Sequence, residues 1–176
     1  LTATFSDGSS GNPFSFYFAW NYLVDIYSED GGVTYKSRIV ANPESFRGAF
    51  GVNLDGSEDN RPQISTNSDR SKLFYSWFDT DTQLWGTSDN NFPDFWVNMY
   101  DLNTNSFPYP AENMTSDISL VGSSISGCVA PEAWTNTDGT YTLHCVTQQL
   151  DANTNDFLDP VQYTYIAGIF PSPSNV

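Results

Sequence analysis

With 176 residues the chain is long enough to bury a substantial core, and its aromatic share of 16% beside many Thr, Ser, Asn and Asp suits half-buried strands joined by tight turns. Twenty-one acidic residues against 6 basic ones leave a net charge of −15, which argues against nucleic-acid phosphates and anionic membranes as partners. No run of about 18 apolar residues occurs, so no transmembrane helix is expected. A start at Leu1 with no visible signal peptide leads us to expect a mature or partial product of a secreted or cell-surface protein.

The first unit spans residues 14–42, with strands expected over 14–20, 22–27 and 34–40. Between the last two, residues 28–35 read Ser-Glu-Asp-Gly-Gly-Val-Thr-Tyr. The Asp30 carboxylate is placed to accept backbone N–H bonds, Gly31 and Gly32 permit positive φ, and Ser28 and Thr34 add short side-chain bonds. Tyr35 is expected to lie over the turn and fill the corner between the strands. Residues 48–60 form a polar connection. The second unit, 61–114, carries strands over 63–66, 73–78 and 95–100 and a weak one after Phe107. Its 80–93 insertion is rich in Asp, Asn, Ser and Thr, the composition of a recognition loop. The third unit, 126–170, ends in a strand over 161–170, which Pro171 and Pro173 terminate.

Internal similarity supports this division. Residues 61–70 align without a gap on 130–139, and each segment is followed by a strand-like run, 72–77 and 141–146, so both read as strand, polar turn, strand. A second match relates 101–107 to 151–157. No segment has a helical pattern.

The spacing of Ser28, Asp30, Gly32, Thr34 and Tyr35 resembles the Asp-box, or bacterial neuraminidase repeat, of the sialidase-like β-propeller family, whose pattern is Ser-x-Asp-x-Gly-x-Thr-Trp. Tyr35 stands where that pattern has Trp. The resemblance implies an all-β fold of consecutive antiparallel blades, with the turn as a structural hairpin on a blade's outer part. About four blades are the least that close a ring, so three imply a chain that is part of a larger one or is completed by a partner chain, with a β-sandwich as the alternative architecture.

The chemistry of the resembled family requires three arginines around a sugar carboxylate, a Tyr nucleophile assisted by Glu, and an acidic proton donor. Of Arg38, Arg47, Arg61 and Arg70, Arg61 is best placed for the central face, but no matching motif places a second and third, and no catalytic residue is carried over. The function read from the sequence is therefore a secreted or cell-surface binding or structural module recognising a glycan or an extracellular protein. A sialidase-like glycoside hydrolase fragment and a subunit of a surface assembly are the alternatives. Trp85 in the insertion and Trp96 just after it are the candidate binding aromatics, with Arg61 beside them.

No cofactor is expected, with calcium as the alternative, for which Asp79, Asp81, Asp89 and Asp94 form one candidate set. The Asp-x-Asn-x-Asn loops at Asp101 and Asp151 form another, although the Gly expected at an EF-hand's sixth position is absent from both. Cys128 and Cys145 fall on opposite strands of one hairpin. A disulfide between them would constrain the unfolded chain by roughly 3 kcal/mol, with two buried thiols as the alternative. A zinc site is not expected, since His144 precedes Cys145 and so points to the other face. Asn113-Met114-Thr115 fits an N-glycosylation acceptor.

Overall fold

The computed structural model describes residues 2–6, 13–17, 22–43, 61–79, 94–116, 124–149 and 162–171. All regular structure among them is β: β1 (Thr2–Ser6), β2 (Pro13–Tyr17), β3 (Leu23–Tyr27), β4 (Lys36–Ala41), β5 (Gln63–Asn67), β6 (Lys72–Asp79), β7 (Asp94–Asp101), β8 (Glu112–Asn113), β9 (Ser124–Val129), β10 (Glu132–Thr135), β11 (Tyr141–Gln149) and β12 (Gln162–Phe170). Among the described residues no helix is long and apolar enough to cross a membrane. The chain divides into two compact units, Leu1–Asn42 and Pro43–Val176.

In the first unit β1 and β2 form one antiparallel hairpin and β3 and β4 another. A strand at 2–6 was not expected, and β2 pairs with it rather than with β3, so 14–42 does not form one three-stranded ribbon among the described residues. In β3–β4 the period-2 alternation sends Val24 and its cross-strand partner Ile39 to an exposed face. Asp25 faces Arg38 on the other side, where the guanidinium Nε lies 3.0 Å from the carboxylate and the group stacks 3.8 Å above the Tyr27 ring.

The second unit is a single sheet in the order β12-β11-β10-β5-β6-β7-β8, with β9 also paired to β11. It curls into a half-barrel. Within 61–114 and 126–170 the strands β5 to β8 and β10 to β12 run antiparallel to their neighbours, and the first strands of the two runs pair with each other. Glu132 lies opposite Thr66 and Ala133 opposite Asn67 in a parallel ladder, so the described strands form one continuous sheet and separate blades are not seen.

Side chains of β5 extend that short seam. The Gln63 amide donates to the Gly127 carbonyl (2.9 Å) and accepts from the Val129 N–H (3.2 Å), and Ser65 Oγ donates to the Ala130 carbonyl (2.5 Å). Gln63 thus supplies by side chain the two bonds that a longer backbone ladder would make. Pro131, which has no N–H to donate, sits at the break between β9 and β10, and its carbonyl accepts from Thr66 N at 3.2 Å.

The core lies on one face of the curl: Phe74, Phe78, Phe95, Val97, Met99, Ala133, Tyr141, Leu143, Cys145 and Phe170, with Met114, Val129 and Ile166 against it. Phe74 is its centre, edge-on to Tyr141 and Phe170 at 5.9 and 5.5 Å. Burying each such side chain contributes about 1.5–3 kcal/mol. Met114, just past β8, occupies the space a Cβ of Gly168 in β12 would need, so the two ends of the sheet approach each other and only Gly fits there without a shift. At one end of the core the cross-strand pair Lys72 and Asp101 is buried, with Nζ 3.0 Å from Oδ1.

Candidate functional site

The 28–35 turn is held by its own atoms. Asp30 Oδ1 accepts from Ser28 Oγ (2.8 Å), Val33 N (3.0 Å) and Thr34 N (2.8 Å), and Oδ2 accepts from Thr34 Oγ1 (2.6 Å). Gly32 N donates to Ser28 Oγ at 2.7 Å, and Gly31 and Gly32 take φ of 72° and 92°. The bonds from the Thr34 hydroxyl and N–H, then from Ser28 and Val33, lower the Asp30 pKa to about 2. Such a carboxylate is spent on the loop, which makes it a folding device. Tyr35 holds its hydroxyl over Gly32 but is 68% exposed, so it does not fill a corner.

The aligned segments 61–70 and 130–139 form equivalent turns. Arg70 N donates to Asn67 O and Gly139 N to Asn136 O, each at 3.0 Å. Asp69 accepts from Ser71 N (2.9 Å) and Asp138 from Thr140 N (3.0 Å). Beyond that they differ. In the first, Lys72 N donates to the Asn67 side chain at 2.9 Å, and the ladder places Ser65 opposite Phe74. In the second, Asn136 N donates to Thr140 O at 2.8 Å, and Trp134 lies opposite Thr142 rather than the aligned Leu143. A loop one residue shorter has slipped the register by one, which turns every side chain of β10 over relative to β5. Ser65 is buried, while its aligned counterpart Trp134 is 63% exposed.

The sequence-level candidates distribute as follows. Arg61 is half-buried at φ 44°, just before β5. Trp85, Asp81 and Asp89 lie outside the described residues, as does the Asp151 loop. Trp96 is partly buried on β7, between Trp77 of β6 and Asn113 of β8 in one cross-strand row. Trp77 is only 3% exposed, and the buried Nε1 atoms of Trp77 and Trp96 have no hydrogen-bond partner. Asp79 and Asp94 are direct cross-strand partners, both buried, and Thr115 Oγ1 donates to Asp94 Oδ1 at 3.0 Å.

Asp101, the first ligand of the proposed calcium loop, is committed to Lys72 and to Asn103 N at 2.9 Å. Burial pushes its pKa up, but the Lys72 bond and charge together with the Asn103 N–H outweigh this and leave it lowered. No group of three or more His, Cys, Asp or Glu among the described residues is arranged to hold a metal. The acceptor motif at 113–115 is unavailable to an enzyme in the folded chain, since Asn113 Nδ2 and the whole of Thr115 are buried.

The expected disulfide is corrected. Both thiols are free, Cys128 exposed and Cys145 buried. In the β9–β11 ladder Cys128 faces Val146 and Cys145 faces Val129, a one-residue offset that puts the two sulfurs on opposite faces. Burial, and secondarily the nearby Cys128, pushes the Cys145 thiol up to about 12.

The face opposite the core on β10, β11 and β12 is the candidate site. Register places Trp134, Thr142 and Ile169 in one row, His144 and Ala167 in the next, then Val146 and Tyr165, then Gln148 and Tyr163. The rings form a diagonal track: Trp134 meets His144 edge-on at 4.2 Å, and His144 stacks on Tyr165 at 5.8 Å and 20°. His144 Nδ1 and the Tyr165 hydroxyl are hydrogen-bonded, which fixes both rings. Tyr165 and Tyr163 are 61% and 69% exposed, and Ile169 and Val146 flank the track. Trp134, Tyr165 and Tyr163 thus form an exposed aromatic surface with the half-buried His144 packed between the first two.

Scans of family models, of curated proteins and of solved structures found no match. The site is therefore read from its own geometry.

Adjacency to Cys145 puts His144 on the opposite face of its strand, but no motif in the sequence marks the track as a site. Its available signal was the alternation Tyr163, Tyr165, Ala167, Ile169, which marks one face of a strand as apolar and aromatic. Trp134 had no signal, because the gapless alignment matches it to an inward-facing serine.

Proposed function

We propose that the chain is a non-catalytic binding module of a secreted or cell-surface protein, whose β10–β12 face recognises a glycan by ring stacking. The observation that carries this is the track of exposed Trp134, Tyr165 and Tyr163, in which Trp134 and Tyr165 pack on the half-buried His144 between them. Pyranose rings present flat C–H faces that pack on aromatic faces, and a preorganised platform loses little entropy when it binds them. Clusters of exposed aromatics on a sheet face commonly mark interaction sites. The Ser28–Tyr35 turn supports kinship with the Asp-box propellers as the evolutionary setting, with further blades or a partner chain completing the ring.

A glycan array followed by calorimetry on the intact chain tests the reading. Binding without turnover is expected, and Trp134→Ala should weaken it at least tenfold, about 1.4 kcal/mol. Glycoside turnover, or glycan binding indifferent to Trp134, would replace it.

A further inference from the structure

Resting on that reading, we infer that the platform takes an uncharged, extended glycan whose sugars carry equatorial hydroxyls, such as a β-linked gluco- or xylo-configured chain, and rejects acidic sugars. The first ground is charge. Strands β10, β11 and β12, reading EAWT, YTLHCVTQQ and QYTYIAGIF, hold no Lys or Arg. Sugar carboxylates, sulfates and phosphates are recognised by guanidinium or ammonium groups. Within the second unit the described cations lie off these strands: Lys72 is bonded to Asp101, and Arg61 and Arg70 flank β5. A net charge of −15 adds long-range repulsion of any anion.

The second ground is shape. The track crosses three strands diagonally, and Tyr163 continues it along β12, two residues or about 7 Å from Tyr165. Several consecutive sugars match such a row; successive residues of a β-1,4 chain present alternate faces, so both faces must be flat, and an axial hydroxyl would block the one from which it projects. The third ground is the polar balance. His144 Nδ1 and the Tyr165 hydroxyl satisfy each other and His144 Nε2 is buried, so these rings offer faces more than hydrogen bonds. Affinity then comes from stacking and is nearly independent of salt.

The test is affinity electrophoresis and calorimetry of the intact chain against hexamers of β-1,4-glucose and β-1,4-xylose and, in parallel, oligogalacturonate and sialyllactose. The neutral hexamers are expected to bind, with less than a twofold change between about 0.05 and 0.5 M salt. Trp134→Ala and Tyr165→Ala should each weaken them about tenfold while melting as the parent does. Binding only of the acidic oligomers, still lost in Trp134→Ala, would overturn the ligand class and leave the platform standing. Neutral binding unaffected by both substitutions, or no glycan binding of either charge, would overturn the platform reading itself.

Discussion

The hairpins β5–β6 and β10–β11 share a sequence frame and differ by one residue in how they close. At the aligned positions of their second strands the faces agree: Phe74 and Leu143 are both fully buried, as are Ser76 and Cys145. On their first strands the faces are opposite, with Ser65 in and Trp134 out, Ile64 out and Ala133 in. In the first hairpin the Asn67 side chain caps Lys72 N across a four-residue loop; in the second, Gly139 at φ 84° allows Asn136 to meet Thr140 across three. A turn with almost the same hydrogen bonds therefore decides which of two aligned positions faces the core, Ser65 in the first hairpin and Ala133 in the second, with Ile64 and Trp134 turned outward. The outer faces differ accordingly. The β6–β7 ribbon is buried on both sides, with Tyr75 and Trp77 inside, while the outer face of β10–β12 is an open aromatic row.

The largest break in this comparison is at the shared core positions. Phe74→Ala is expected to cost about 3–5 kcal/mol and Leu143→Ala about 2–5 in urea unfolding. Val146→Ala, one strand position from core but on the open face, should cost much less. Next comes the buried pair that Lys72 of the first hairpin makes with Asp101 of β7 and that the second hairpin lacks, since Tyr141 stands where Lys72 aligns. Asp101→Asn leaves a buried ammonium without its counter-charge and should cost about 3 kcal/mol.

The pair also predicts a pH response. Because the folded Asp101 pKa is lowered, its contribution is complete above the unfolded carboxylate value of about 4 and is lost as pH falls through the lower folded value. Acid unfolding of Asp101→Asn should lack that component.

A smaller effect tests the turns. Arg70 holds φ 58°, where its aligned partner is Gly139, so Arg70→Gly should raise stability by up to about 1 kcal/mol, and Gly139→Ala should lower it by about 1–2. Opposite signs at aligned positions would show that the two loops carry the same backbone with unequal strain. The smallest effect concerns the thiols. Iodoacetamide should modify the native chain once, at Cys128, and Cys128→Ser should change stability by less than about 0.5 kcal/mol. A mass without any adduct would restore the disulfide.

The strands and local turns were legible because their causes are local. β-rich runs marked β3 to β7 and β12 within a residue or two, and β11 from its first residue but three short of its end at Gln149. The Ser28, Asp30 and Thr34 bonds span at most four residues, and so do those of Asp69 and Asp138. What the sequence could not show depends on register or on distant chain. The β5–β10 seam joins residues 66 apart, and the Lys72–Asp101 pair spans 29. The matched 101–107 and 151–157 segments also mislead: the first follows β7, the third strand of its run, whereas the second follows β11, the second strand of its own. One-residue offsets in the β9–β11 and β10–β11 ladders separated the cysteines and exposed Trp134, and no propensity encodes an offset of that size.

The most direct measurement is a two-dimensional NMR titration of the intact chain with a β-1,4-glucose hexamer, following the indole N–H signals. The Trp134 signal should shift in a saturable manner while those of Trp77 and Trp96 stay in place. Shifts of Trp77 and Trp96 with Trp134 unmoved would contradict the account.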